Sequence, residues 1–114
     1  MSSNRATIAE LNDLCRKSMG VIGRLVQTRG INALPDHVKS AIRQRVETFD
    51  NFTTDNDPYG EHDFGAFIFD HEGKALRIFW KIDYYAPDLL HGSEDSADPA
   101  QTIRVLTIML AEEY

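Results

Sequence analysis

Five apolar side chains, Leu76, Ile78, Trp80, Ile82 and Tyr84, fall on every second position of residues 75–85. A period of two puts side chains on one face only in an extended strand. The positions between them, Arg77, Phe79, Lys81, Asp83 and Tyr85, make a second, mixed face. Residues 65–70 read as a preceding strand, and His71-Glu72-Gly73-Lys74 as the turn that joins the two into a hairpin. The apolar face is expected to pack on helices. Phe79 and Tyr85 are left to be covered by a loop, to cap the sheet edge or to meet a partner.

The segments around the hairpin supply the helices. Thr7 with Glu10 three residues later forms a capping box, and Ile8, Leu11, Leu14, Cys15 and Met19 make one stripe, predicting a helix over 8–18. Residues 21–28 are β-branched enough for a strand that Gly30 ends. Pro35 and Asp36 suit a helix start, and Val38, Ala41, Ile42, Val46 and Phe49 form the stripe of a helix over 35–49. Its other side carries Lys39, Arg43 and Arg45, expected to be a solvated face. Asp98-Pro99-Ala100-Gln101 reads as an N-cap, N1 proline and capping box for a third helix. Residues 103–110 are apolar around more than one stripe, so that helix is expected at the centre of the core or in a homodimer. The predicted fold is α+β, in the order α-β-α-β-β-α, with a small antiparallel sheet of hairpin plus one strand against about three helices. One domain over 1–114 is expected, with 1–6 a flexible tail.

A chain of 114 residues, 42% hydrophobic with eleven aromatic residues, can bury a single core without cross-links. Its only cysteine, Cys15, excludes an internal disulfide and is expected in the core. No apolar run reaches the length of a membrane span, and Met-Ser-Ser-Asn-Arg is not expected to open a secretory leader. The expectation is a cytoplasmic protein, in which the glycosylation match Asn51-Phe52-Thr53 is unused.

The net charge of −6 is unevenly spread. Residues 1–49 hold eight basic and four acidic side chains, net +4, and residues 50–114 hold four and fourteen, net −10. Such polarity serves either internal complementarity or an acidic face for a basic partner.

The acidic residues gather in two loops. Over 50–63 the run Asp55-Asn56-Asp57-Pro58-Tyr59-Gly60-Glu61-His62-Asp63 invites a calcium reading, but in that register Tyr59 falls at a ligand position and Ala66 where a bidentate Glu belongs. Cys15, His37, His62, His71 and His91 have no zinc spacing. No metal site and no cofactor are predicted. Acid/base chemistry has weak candidates in His62, Asp63, Asp83 and Tyr84, which a hairpin brings to one end. The second loop, 86–97, adds Glu94 and Asp95. With Asp55, Asp57, Tyr59, Glu61 and Tyr85 they are the candidate partner-binding residues, since loops on a rigid sheet commonly carry function.

Asn56-Asp57-Pro58-Tyr59-Gly60-Glu61-His62-Asp63-Phe64-Gly65, Phe79-Trp80-Lys81-Ile82-Asp83-Tyr84-Tyr85 and Arg104-Val105-Leu106-Thr107-Ile108-Met109-Leu110 together resemble domain-of-unknown-function family three-seven-six-eight. The resemblance extends over residues 7–114 and differs at 71–76, where the family's hairpin is shorter. It implies a small alphaproteobacterial protein, of a kind often carried on plasmids and other mobile DNA. The family has no assigned activity, so no catalytic residue follows from it.

The expected function is a non-enzymatic protein-binding or regulatory module. One alternative is an inhibitor of a host nuclease defence, anti-CRISPR or anti-restriction, acting as a nucleic-acid mimic. The other is a small hydrolase with His62 as acid/base. The expected partner is a protein, in the mimic version a basic nucleic-acid-binding one. Direct nucleic-acid binding and membrane association are not expected.

Overall fold

Glu72 and Gly73 both take positive φ, 52° and 78°. This is the backbone of a two-residue hairpin turn, in which glycine at the second position removes most of the strain. It joins β2, Phe64–His71, to β3, Lys74–Tyr85, in unbroken antiparallel register from His71 opposite Lys74 to Phe64 opposite Lys81. The computed structural model describes residues 6–114, so the tail expected over 1–6 lies, but for Ala6, outside the described residues.

The remaining elements are α1, Ile8–Lys17; β1, Arg24–Gln27; the short helix α2, Arg29–Asn32; α3, Asp36–Glu47; β4, Ile103–Leu110; and a closing 3-10 turn, Ala111–Glu113. The fold is α+β. Its sheet is ordered β1-β4-β3-β2, with β1 parallel to β4 and the other pairs antiparallel. No helix among the described residues is long and apolar enough to cross a membrane.

The third helix predicted from residue 98 does not form; β4 stands there, paired on both sides. Ile103, Val105, Thr107 and Ile108 are β-branched and favour a strand. A strand buried on one face and half-covered on the other shows the same unbroken apolar run as a buried helix. The capping chemistry is real but local: Asp98 accepts from the Ala100 amide at 2.9 Å and from Gln101 Nε2 at 2.8 Å, closing a turn that feeds the strand. The homodimer expected through that helix has no helix there to form on.

Burial alternates along the strands as expected. Ile78, Trp80 and Ile82 of β3 meet Leu106 and Ile108 of β4, and this face joins Ile31, Val38, Ile42 and Val46 in one core with Cys15. The expected stripe of α1 is rotated. The capping box of Thr7 and Glu10 is present, but α1 buries Asn12, Cys15 and Arg16 while Leu14 is 51% exposed. The opposite sheet face, with Phe64, Phe79, Tyr85, Val105 and Met109, has none of α1–α3 across it. Tyr114 closes one corner, its ring 5.9 Å from that of Phe79.

Candidate functional site: an acidic end braced by a buried polar network

β2 begins, β3 finishes and β4 begins at the same end of the sheet, so the segments 48–63 and 86–102 meet there. Residues 50–63 hold five carboxylates and residues 86–102 hold four, without a single Lys or Arg between them. Within these segments Asp55 and Glu94 are exposed, Glu61 and Asp95 half-buried. Tyr59 is 85% and Leu90 82% exposed, so the acidic end also presents large apolar side chains. Tyr85 lies on the helix-free sheet face, held by a bridge to Gly92.

Asp57 is placed differently from the other partner-binding candidates. It is buried, with Oδ1 accepting from the Glu61 amide at 3.0 Å and Oδ2 from the His62 amide at 3.2 Å. It shapes the loop from inside and takes no part in an outward acidic surface.

Behind the loops runs a network of buried polar groups. Arg104 Nε donates to Asn12 Oδ1 at 2.7 Å, and Arg104 Nη2 donates to the Ser96 carbonyl in the second loop. Asn12 Nδ2 donates to the Tyr84 hydroxyl at 2.8 Å and to the Glu61 carbonyl at 2.9 Å in the first loop. The Tyr84 hydroxyl reaches Asp63 Oδ2 at 3.4 Å, and the Arg104 guanidinium lies 5.2 Å from the Tyr84 ring centre. One asparagine on α1 and one arginine on β4 thus tie both acidic loops to the sheet. Burial raises the Tyr84 hydroxyl to about 12, so it stays protonated as a donor. Burial also raises the Asp63 carboxyl, and the charges of Asp57 and Asp83 add to this against its bonds from its own amide and Tyr84. Glu61 is raised by burial and by the charges of Asp63 and Asp57. The carboxylates at this end crowd one another.

His62 stands at the inner edge of the first loop with φ of 56°, a left-handed conformation that histidine tolerates better than most residues. Its Nδ1 lies 3.1 Å from Asp13 Oδ1 on α1, its Nε2 3.9 Å from Asp57 Oδ2, and its ring stacks on Phe52 at 3.9 Å. Arg16 completes this corner, donating to the carbonyls of Val46 and Glu47 at the end of α3 and to Asp13. Its guanidinium lies 5.4 Å from the Trp80 ring centre. His62, Asp13 and Arg16 line a cleft of about 720 Å³ with Lys17, Glu47 and Phe52.

The four weak catalytic candidates do not form one constellation. His62 is bracketed by Asp13 and Asp57, Tyr84 bonds to Asn12 and Asp63, and Asp83 pairs with Lys81 at 2.9 Å. Asp83 and Tyr84 are consecutive on a strand and point to opposite faces. Thr48 lines the cleft, but its hydroxyl donates to the Gln44 carbonyl. The arrangement orients an imidazole and braces a loop, and among the described residues it sets no nucleophile beside that imidazole.

Asn12, Asp13, Arg16 and Arg104 were not foreseen. The signal for Arg104 was a charge inside an otherwise apolar run, and for Asn12 and Arg16 an i, i+4 polar pair flanking Cys15. Both mark polar groups that a strand or helix turns inward.

No curated protein and no solved structure matches the chain. A family model described as "Protein of unknown function (DUF3768)" matches residues 27–113. The match runs from the last residue of β1 through the 3-10 turn and includes both acidic loops, Tyr84 and Arg104. It leaves out α1, which contributes Asn12, Asp13 and Arg16. With the larger part of its length under this one model, the chain belongs to that family of proteins of unknown function.

Proposed function

We propose that this domain is a non-enzymatic protein-binding module, and that its acidic end docks a partner with a basic surface. One observation carries it: two loops with no Lys or Arg and, besides the buried Asp57, eight carboxylates meet at one end of the sheet, and Tyr59 and Leu90 of the same loops are exposed. Large apolar anchors inside a charged rim are the usual composition of a protein interface, and the charge speeds encounter with an oppositely charged partner. The buried Asn12–Arg104 network supports it further, since a braced loop loses less conformational freedom on binding.

In a narrower form, the acidic end imitates nucleic-acid phosphates toward a basic nuclease of a host defence, as in an anti-restriction or anti-CRISPR protein. That form predicts that DNA competes for the same partner. The test is capture of partners from host lysate by the tagged chain and by a variant carrying Asp55→Lys and Glu94→Lys. The expected result is a salt-sensitive partner that the wild type retains and the variant loses. Retention by both at equal strength would overturn the proposal.

A further inference from the structure

We propose that two copies of this chain pair through the helix-free face of the sheet, stacking sheet on sheet about a two-fold axis. The strand alternation that turns Ile78, Trp80 and Ile82 to the helices turns Phe79, Tyr85, Val105 and Phe64 the other way. Apolar side chains reach solvent at its edges: Ile68 on β2 is 51% exposed and Val26 on β1 45%. The shortest axis measures 21 Å, which for the described residues is the thickness of one helix layer on one sheet.

The occupant follows from area and charge. Four strands about 4.8 Å apart and about eight residues long span about 19 Å by 27 Å, or about 500 Å² of flat face per copy. Two such faces together come to about 1,000 Å², the lower bound of a specific interface, before side-chain relief adds to it. A chain of net charge −6 repels its own copies, but this face carries both signs, with Lys81 2.9 Å from Asp83 and with Arg77 and Asp70 nearer the hairpin turn. An axis perpendicular to the strands lays the copies antiparallel, as a two-fold contact allows. It sets each acidic end over the other copy's hairpin turn, keeping the two sets of nine carboxylates apart. The dimer rests on the sheet face and the partner surface proposed above on the two loops, so either can fail without the other.

Sedimentation of the full chain from about 5 µM to about 500 µM tests it, because self-association is concentration-dependent. The expected result is a twofold rise in mass, and a monomer over the whole range for the double variant Val26→Lys, Ile68→Lys. Both positions are exposed, and circular dichroism checks that the variant keeps its fold. Should it unfold, Ile68→Ser replaces it, with at least tenfold weaker association expected. A wild type that stays monomeric throughout overturns the dimer and leaves the acidic-end proposal standing. A folded variant that dimerises like the wild type overturns the assignment to this face.

Discussion

Asn12 holds the acidic end to α1 alongside Asp13, since its amide serves Arg104, Tyr84 and the Glu61 carbonyl at once. Removing it leaves Arg104 Nε without its acceptor and the Tyr84 hydroxyl without its donor, while Arg104 Nη2 keeps the Ser96 carbonyl and Tyr84 keeps Asp63. Asn12→Ala is therefore expected to cost about 3 kcal/mol, and Tyr84→Phe, which keeps the ring, about 1 kcal/mol. Urea denaturation of the two variants measures both. The carboxyls of Asp63 and Glu61 give a pH dependence of definite sign. Each has a folded-state value above its ordinary one, so the folded state holds the proton more tightly. Their contribution to stability is present below the ordinary carboxyl range and is lost as pH rises through the raised values. Asp63→Asn is expected to flatten that part of the stability-against-pH curve.

At the scale of elements, two close contacts fix the sheet. A Cβ on Gly65 would lie 2.3 Å from Trp80 Nε1, so the indole packs directly on the β2 backbone. Gly65→Ala is expected to destabilise the fold by about 1–3 kcal/mol, the usual range for overpacking, and to shift the Trp80 fluorescence. Glu113 fastens the 3-10 turn, accepting from the Gly30 and Leu110 amides and the Thr28 hydroxyl. Burial raises its carboxyl, but these three bonds outweigh that and hold it below the ordinary range. Its contribution is present above the ordinary value and is lost as pH falls through the lowered one. Hydrogen exchange at residues 110–114 is expected to quicken there, and Glu113→Gln to weaken that dependence. The hairpin and α3 were legible in the sequence because alternation and a 3.6-residue stripe are each tied to one backbone geometry. The strand β4 was not, because an apolar run with a capping motif before it fits a helix as well, and only its pairing with β1 and β3 decides. The helix α1 was legible in extent but not in orientation. Its apolar stripe competes with Asn12 and Arg16, whose partners on β4 and α3 lie about ninety and thirty residues away.

Across the whole molecule, charge and topology combine. The sequence showed the acidic half, and the antiparallel path of β2, β3 and β4 gathers its loops at one end. Of the candidates named there, Asp55, Tyr59 and Glu94 face solvent, while Asp57 turns inward, because a carboxylate in a tight loop finds backbone amides as readily as water. The catalytic quartet was out of reach of sequence spacing, since His62 takes its nearest partner from α1. The central claim is that the acidic end binds the partner, and hydrogen exchange on the captured complex tests it most directly. Protection confined to residues 50–63 and 86–101 is the expected result. Protection on α3 and β1, with both loops unchanged, would contradict it.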